Sequence, residues 1–310
     1  MRVTANMSAE NSLYNIQLSR RRLDNTQELI SSGQNINRPS DDPITSRVLL
    51  EVGDKVRALD QYSSNISKAS SWLKFTSTAL DGLSSIVNLA QKVTGSINSG
   101  SSDPNLRQSA HDQLVDLKSQ LIDMANTQYG DQYIFGGANN SVIPFKNSNA
   151  DNPPIDNSFA GDGTQLTIEV AQGSFQALNI TGDRVLLGTG SSPNYGSTNI
   201  LDTFDNLIAA IGDRLTPSNV TDISTASQAL QDGAKQLIIA TSDVLSRTTR
   251  LDNMSKLNDN NKNTLLSIST GIQEVDYAKL GIQQNNQQIA FEASLSATAK
   301  LTKLSLLDYM

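Results

Sequence analysis

"VGDKVRALDQYSSNISKASSWLKFTSTALDGLSSIV", residues 52–87, decides the fold, because its apolar residues recur at every seventh position. Val52, Leu59, Ile66, Leu73, Leu80 and Val87 form one track. A companion track three residues on holds Tyr62, Ala69, Leu83, Ala90 and Ile97, interrupted by Lys55 and Thr76. A strict seven-residue recurrence on a helix makes a coiled-coil-like seam. The spacing predicts one helix from about Ile44 to Ile97, on the order of 80 Å at ~1.5 Å per residue. A helix that long lies against partners of similar length.

The second half of the chain supplies a partner. Ile223, Leu230, Leu237, Val244 and Leu251 recur at seven, and Ile268, Val275, Ile282 and Ile289 continue on a shifted register. A third helix is expected from about Pro104 to Tyr129, with Leu106, Ala110, Leu114, Leu117, Leu121 and Met124 on one face. Asp103 is placed to cap it, and Pro104 suits its first position. A shorter helix is expected over about 200–215. Both chain ends carry thin amphipathic stripes: Leu13, Ile16, Leu23 and Ile30 at the start, and Ile282, Ile289, Leu295, Leu301 and Leu304 at the end. So narrow a stripe buries little area against the entropy of ordering, so both ends are expected to order only beside a partner.

The middle reads differently. Between about Gly136 and Thr198 the chain is rich in Gly, Asn, Pro and Ser. "QLTIEV" (165–170) puts Leu166, Ile168 and Val170 on one face, and "FQALNI" (175–180) and "RVLLG" (184–188) follow after turn-like "QGS" and "TGD". These three runs read as strands of a small inserted module.

Composition narrows the function. The formal charge is −7, against the basic face that nucleic acid requires. Absence of cysteine removes disulfides, thiolate metal sites and thiol nucleophiles. "MRVTANMSAENSLYNIQLSRRR" has no apolar core of a secretory signal, and no window approaches a membrane span. The expectation is a chain that is cytoplasmic or exported without a cleaved signal. Aromatic residues make up only 5%, which suits thinly packed elements better than a large compact core.

Chemistry has few candidates. His111 is the only histidine and reads as a surface residue on the third helix. "DNMSKLNDNNKN" (252–263) lacks the Gly and terminal Glu of a calcium loop. The glycine-rich "FGGANNS" (135–141) and "GTGSSPNYGS" (188–197) match no phosphate-binding pattern and read as turns. The three arginines of "SRRRLD" (19–24) point about 100° apart on a helix and make a solvated or intersubunit face.

"INRPSDDPITSR" (36–47) raises the sharpest question, with two adjacent carboxylates between two prolines. Acid–base pairs face each other across a cleft, whereas neighbours in sequence point apart. Helix chemistry explains the stretch instead. Pro39 is expected to stop the preceding segment and Ser40 to cap a new helix. Asp41 and Asp42 then sit in its first turn near the positive end of the macrodipole, and Pro43 is tolerated there. Arg38 and Arg47 are unused by capping, and at least one is expected to form a salt bridge across the joint or to a neighbouring subunit.

"MRVTANM" (1–7), "INRPSDDPITSRVL" (36–49), "GDQYIFGGANNSVIPF" (130–145) and "LSLLDYM" (304–310) resemble the flagellin superfamily, and within it the hook–filament junction branch. The resemblance covers the helical N-terminal ~140 and C-terminal ~110 residues. It implies a mainly α fold with a β-rich insertion: an elongated rod of long antiparallel helices formed by both chain ends, plus a small outer β domain. Residues 1–40 and 272–310 would form an inner helical domain ordered on assembly, 41–138 and 199–271 a rod-like helical domain, and 139–198 the insertion. It also implies a structural role without enzyme activity or cofactor, outside the cell at the junction of hook and filament. The implied partners are further copies of the chain, hook-associated protein 1, flagellin, and a cytoplasmic export chaperone on the C-terminal helix. A short filament flagellin is the alternative. Subunit contacts are expected from Leu13, Ile16, Leu23, Ile30, Ile282, Ile289, Leu301, Leu304 and Leu307. The joint between inner and rod domains is expected at Arg38, Pro39, Ser40, Asp41, Asp42, Pro43 and Arg47.

Overall fold

The computed structural model describes residues 5–97, 103–146, 157–189, 194–212 and 219–307. Among the described residues, seven helices and four short strands follow in the order α1 (Ala5–Ser32), α2 (Pro43–Ile97), α3 (Pro104–Ala125), β1 (Gln128–Tyr129), β2 (Gln132–Tyr133), β3 (Thr167–Ala171), β4 (Ser174–Ala177), α4 (Gly182–Leu186), α5 (Ile200–Ile211), α6 (Val220–Gln273) and α7 (Tyr277–Leu307). Two compact units divide the chain: Met1–Ala58 with Asn260–Met310, and Leu59–Asp259. Both boundaries fall inside a helix, one in α2 and one in α6.

The second unit holds the heptad core. Ile66, Leu73, Leu80 and Val87 of α2 and Ile223, Leu230, Leu237, Val244 and Leu251 of α6 are all buried in one cluster. The interruption at Thr76 is harmless because its buried hydroxyl donates to Trp72 O at 2.9 Å. A hydroxyl satisfied by its own helix can sit in a seam without leaving a polar group orphaned. Asp103 caps α3 as its position implied, accepting from Asn105 N–H at 2.9 Å.

The glycine-rich stretch after α3 is a packing device. Ile134, Phe135 and Phe145 are fully buried. Asn126, just past α3, grips Phe145 by both backbone groups, donating to its carbonyl at 2.6 Å and accepting its N–H at 3.0 Å. Gly137 has φ +72°, and a Cβ there would lie 1.4 Å from Asp162 O, so no other residue fits while these two segments run this close.

The inserted module is less regular than its sequence suggests. β3 and β4 form an antiparallel hairpin through Gly173 at φ +70°, with a bulge between Glu169 and Ala171. The third expected strand is corrected: "RVLLG" begins inside helix α4. The N–H groups of Arg184 and Val185 turn back to Thr181 O, at 3.2 and 3.3 Å. This local bonding buries the consecutive Val185 and Leu186 together, which an alternating strand would point to opposite faces. Side chains from the long helices then pin the module. Asn65 donates to Glu169 O at 2.9 Å, Asn258 to Val170 O at 3.1 Å, and Gln236 to Val185 O at 2.8 Å. The first two amides replace ladder partners that a two-stranded hairpin lacks, and the third holds α4.

Candidate assembly site

The first unit contains two helix breaks that lie side by side. α1 stops at Gly33, whose φ of +67° closes the last turn through its N–H to Leu29 O at 3.0 Å. α6 stops at Gln273, and Asp276 caps α7 by accepting Lys279 N–H at 3.0 Å. Asn35 N–H donates to Gln273 O at 2.8 Å, and Gln34 bridges Glu274 in antiparallel fashion. The Tyr277 hydroxyl lies where a Cβ on Gly33 would meet it at 2.7 Å. Both connections are thereby held together by backbone bonds that no local pattern announces.

The acidic pair divides its work across the first connection. Asp42 caps α2: its Oδ1 accepts the N–H groups of Ile44 and Thr45 at 3.1 Å each, and its Oδ2 accepts the Thr45 hydroxyl at 2.6 Å. Pro43 has no N–H to satisfy, so the first turn is complete. Asp41 faces the other way and accepts from Arg38 N–H at 2.9 Å and Asn37 N–H at 3.2 Å. Three expectations are corrected here. Asp41 and Asp42 do not sit in the first turn of α2, which begins at Pro43. Ser40 is not the cap, because the helix starts at Pro43 and the cap position is Asp42. Pro39 does not stop α1; it sits inside the turn closed by Asp41 N–H to Arg38 O at 2.9 Å, after Gly33 has ended the helix.

The Thr45 hydroxyl, then the Thr45 and Ile44 N–H groups, hold the Asp42 carboxyl below its usual value of 3.8. A depressed folded-state pKa contributes stability that is complete above 3.8 and is lost as pH falls through the lower folded value. Amide exchange at Ile44 and Thr45 is expected to accelerate below that value in the native chain. In Asp42→Ala it is expected to be fast throughout, with no protonation step at this site, because no side-chain oxygen remains to accept the two N–H groups. Equal protection in both chains at all pH values would contradict the cap.

Arg38 pairs with Glu28 of α1 across the connection at 2.9 Å, while Arg47 is exposed without an ion pair among the described residues. Ile36, Leu49, Leu50 and Gly53 line a cleft of about 300 Å³ there, with Arg38 and Arg57 among its walls.

α1 and α7 pack on each other within this unit. Ser12, Ile16, Ser19, Leu23, Thr26 and Ile30 on α1 are half-buried or buried, as are Leu280, Gln284, Gln287, Phe291, Ser294 and Thr298 on α7. Both sets follow a four–three spacing. Thr26 lies fully inside, its hydroxyl 2.7 Å from Gln287 Oε1 and 3.1 Å from Arg22 O. Ile16, Leu23 and Ile30 thus belong to an intramolecular seam. Leu13, Ile282, Ile289 and Leu295 face outward and are exposed. The side chains of Leu301, Leu304 and Leu307 lie outside the described residues. The α7 seam escapes a search for apolar periodicity because four of its six members are Gln, Ser or Thr. Gly33 was findable as a helix-ending glycine after the last apolar position; Glu28 and Gln287 carry no local signal.

No group of acidic or histidine side chains suited to a metal occurs among the described residues, and no described helix is long and apolar enough to cross a membrane. His111 is partly exposed on α3, with Nδ1 3.2 Å from its neighbour Asp112.

Residues 3–140 match the family model of the bacterial flagellin N-terminal helical region. Flagellar hook-associated protein 3 of Escherichia coli K12 is 23% identical over 293 residues, covering 90% of each chain. The 41 kDa core protein of the Borreliella burgdorferi flagellar filament is 29% identical over 137 residues, covering 43% of this chain and 40% of that one. The solved structure of a putative flagellar hook-associated protein from Vibrio parahaemolyticus superposes with a TM-score of 0.65 at 22% identity, over 76% of this chain and all of that one. That similarity establishes the shared fold.

Proposed function

We propose that the chain is a member of the flagellin superfamily and, within it, the structural adaptor between the hook and the filament of a bacterial flagellum. Copies assemble into a thin layer that receives hook-associated protein 1 on one side and flagellin on the other. The work is done by packing, without a catalytic step. The observation that carries this reading is the pair of outward apolar faces on α1 and α7, where Leu13, Ile282, Ile289 and Leu295 stand exposed. An exposed stripe of this kind on helices already paired to each other calls for further copies. The match to hook-associated protein 3 runs through the insertion, whereas the filament core protein matches less than half of the chain, which favours the junction over a short flagellin.

In this reading residues 1–40 with 272–310 serve as the inner helical domain, 41–138 with 199–271 as the rod domain and 139–198 as the outer module. The inner domain is the assembling one, and its contacts include Leu301, Leu304 and Leu307. The chain leaves the cell through the flagellar export channel, and a cytoplasmic chaperone shields the outward face of α7 beforehand.

Deleting the gene tests the reading. Hooks are expected to remain, filaments to be missing, and flagellin monomer to accumulate in the medium. Filaments of normal length attached to hooks would overturn it, and so would loss of the filament protein itself.

A further inference from the structure

α7 carries two apolar stripes of similar weight. The stripe against α1 holds Leu280, 9% exposed, and the half-buried Phe291. The outward stripe holds Ile282 and Ile289. Ile282 and the seam residue Gln287 are five positions apart, about 140° around a helix of ~3.6 residues per turn. Rotating α7 by that angle about its own axis would bury Ile282 and Ile289 and expose Leu280 and Phe291. Either arrangement buries two large apolar side chains, and Leu295 lies to the side of both. Apolar burial follows area and has no direction, so it does not choose between them. The Asn35–Gln273 backbone bond sets the level of the two helices but lies ahead of α7. Tyr277 leans on Gly33 in the first turn of α7, yet it is 58% exposed and holds the rotation weakly.

A buried polar contact makes the choice. Thr26 is 1% exposed, and its hydroxyl donates to Gln287 Oε1 at 2.7 Å, with Arg22 O 3.1 Å away as the other acceptor. Gln287 reaches Thr26 in the observed arrangement alone. After the rotation Gln287 would turn away from α1, and the hydroxyl would be left with its own helix. We infer that Thr26 and Gln287 are positioning residues, whose hydrogen bond decides which stripe of α7 meets α1 and so leaves Ile282 and Ile289 outward. One polar residue at a core position sets the geometry of a coiled coil in the same way, where apolar packing is indifferent. The consequence for assembly rests on the adaptor reading; the choice of stripe does not.

The chain has no cysteine, so introduced thiols report cleanly. With Thr26 opposite Gln287, the antiparallel seam sets Leu23, one turn back on α1, towards Phe291, one turn further on α7. Two full-length double variants are oxidised in dilute solution: Leu23→Cys with Phe291→Cys, and Leu23→Cys with Ile289→Cys. A disulfide forms only with the Cα atoms within about 7 Å and the side chains facing, so its rate reports which stripe is inward. The first pair is expected to link within the chain and the second to lag far behind. Each is then compared with itself after Thr26→Val, which keeps the shape and removes the hydroxyl. The ratio of the two rates is expected to shift by about tenfold towards the Ile289→Cys pair, the size of one hydrogen bond. Adding Gln287→Leu to Thr26→Val should restore the original ratio, because the inward side chain then needs no donor. A ratio unmoved by Thr26→Val would overturn the inference. An equal loss of both links, which is what loosened packing alone gives, would overturn it too, as would failure of the Phe291→Cys pair to link at all. If the ratio shifts while Thr26→Val cells keep their filaments, the role of the pair stands and the reading of Ile282 and Ile289 as assembly contacts fails.

Discussion

Replacing Arg247 by Ala is expected to destabilise the second unit by about 3 kcal/mol, the lower end of what breaking a buried ion pair costs. The guanidinium is only 7% exposed. Its Nη2 lies 2.7 Å from Asp243 Oδ2, and its Nη1 donates to Asn179 O at 2.9 Å. The Tyr195 hydroxyl donates to the same Asp243 oxygen at 2.6 Å. Removing Arg247 leaves that carboxylate beside a buried phenol without its bonded guanidinium, and strips the Asn179 carbonyl, two residues past β4, of its donor. Asp243 is 29% exposed, so water recovers part of the loss and the upper range is not reached. For a unit of this size the melting temperature is expected to fall by roughly 6–12 °C. Arg247→Lys should recover less than half, because an ammonium does not reproduce the fork that reaches Asp243 and Asn179 together. A melting curve unchanged in Arg247→Ala would show that the module is held by its amide pins alone. Burial first, and then the Asp243 contact, push the Tyr195 hydroxyl above its usual value of 10. Its raised folded-state pKa contributes stability that is complete below pH 10 and is lost at higher pH.

The other large effect is expected on assembly with none on the monomer. Ile282 and Ile289 are 67% and 57% exposed on α7, one heptad apart. Changing both to Glu touches no described contact, so the monomer's melting temperature should hold within the ~0.5 kcal/mol typical of surface substitutions. Burying each Ile against a neighbouring copy contributes about 1.5–3 kcal/mol, and a buried unpaired carboxylate reverses the sign. Repeated at every subunit, this should abolish the layer. Cells are expected to keep hooks, lose filaments and release the variant to the medium as a folded monomer. Filaments of normal length would place the assembly contacts elsewhere. Phe291→Ala is the informative contrast: half-buried in the α1–α7 seam, it should lower the stability of the first unit before any assembly occurs.

These experiments separate two stripes on one helix, and that separation marks where local pattern stops being sufficient. Heptad spacing placed the ends of α2 within a residue, because a seam repeated over many turns averages out single exceptions such as Thr76, whereas the track Ile268, Val275, Ile282 and Ile289 ran across the break between α6 and α7. Asp103 and Pro104 announced α3 through bonds made within four residues. On α7 the same search followed Ile282 and Ile289, the outward face, and passed over Gln284, Gln287, Ser294 and Thr298, which meet α1. Polar residues enter that seam through the Thr26–Gln287 contact, made across 261 residues of chain. In the insertion, "RVLLG" has the composition of a strand, and only the nearby Thr181 carbonyl and the packing around Val185 and Leu186 make it a helix.

The chain by itself determined the two long helices, the inserted module between them, the terminal amphipathic ends and the use of Asp42 at the start of a helix. All of these depend on periodicity or on hydrogen bonds between residues a few positions apart. Tertiary structure alone decided which carboxylate caps α2, that Gly33 and Gln273 end their helices side by side, that Arg38 meets Glu28, and which face of α7 is left exposed. Each of those depends on distant backbone or side-chain groups arriving at one place, and a sequence read by spacing carries no record of that arrival.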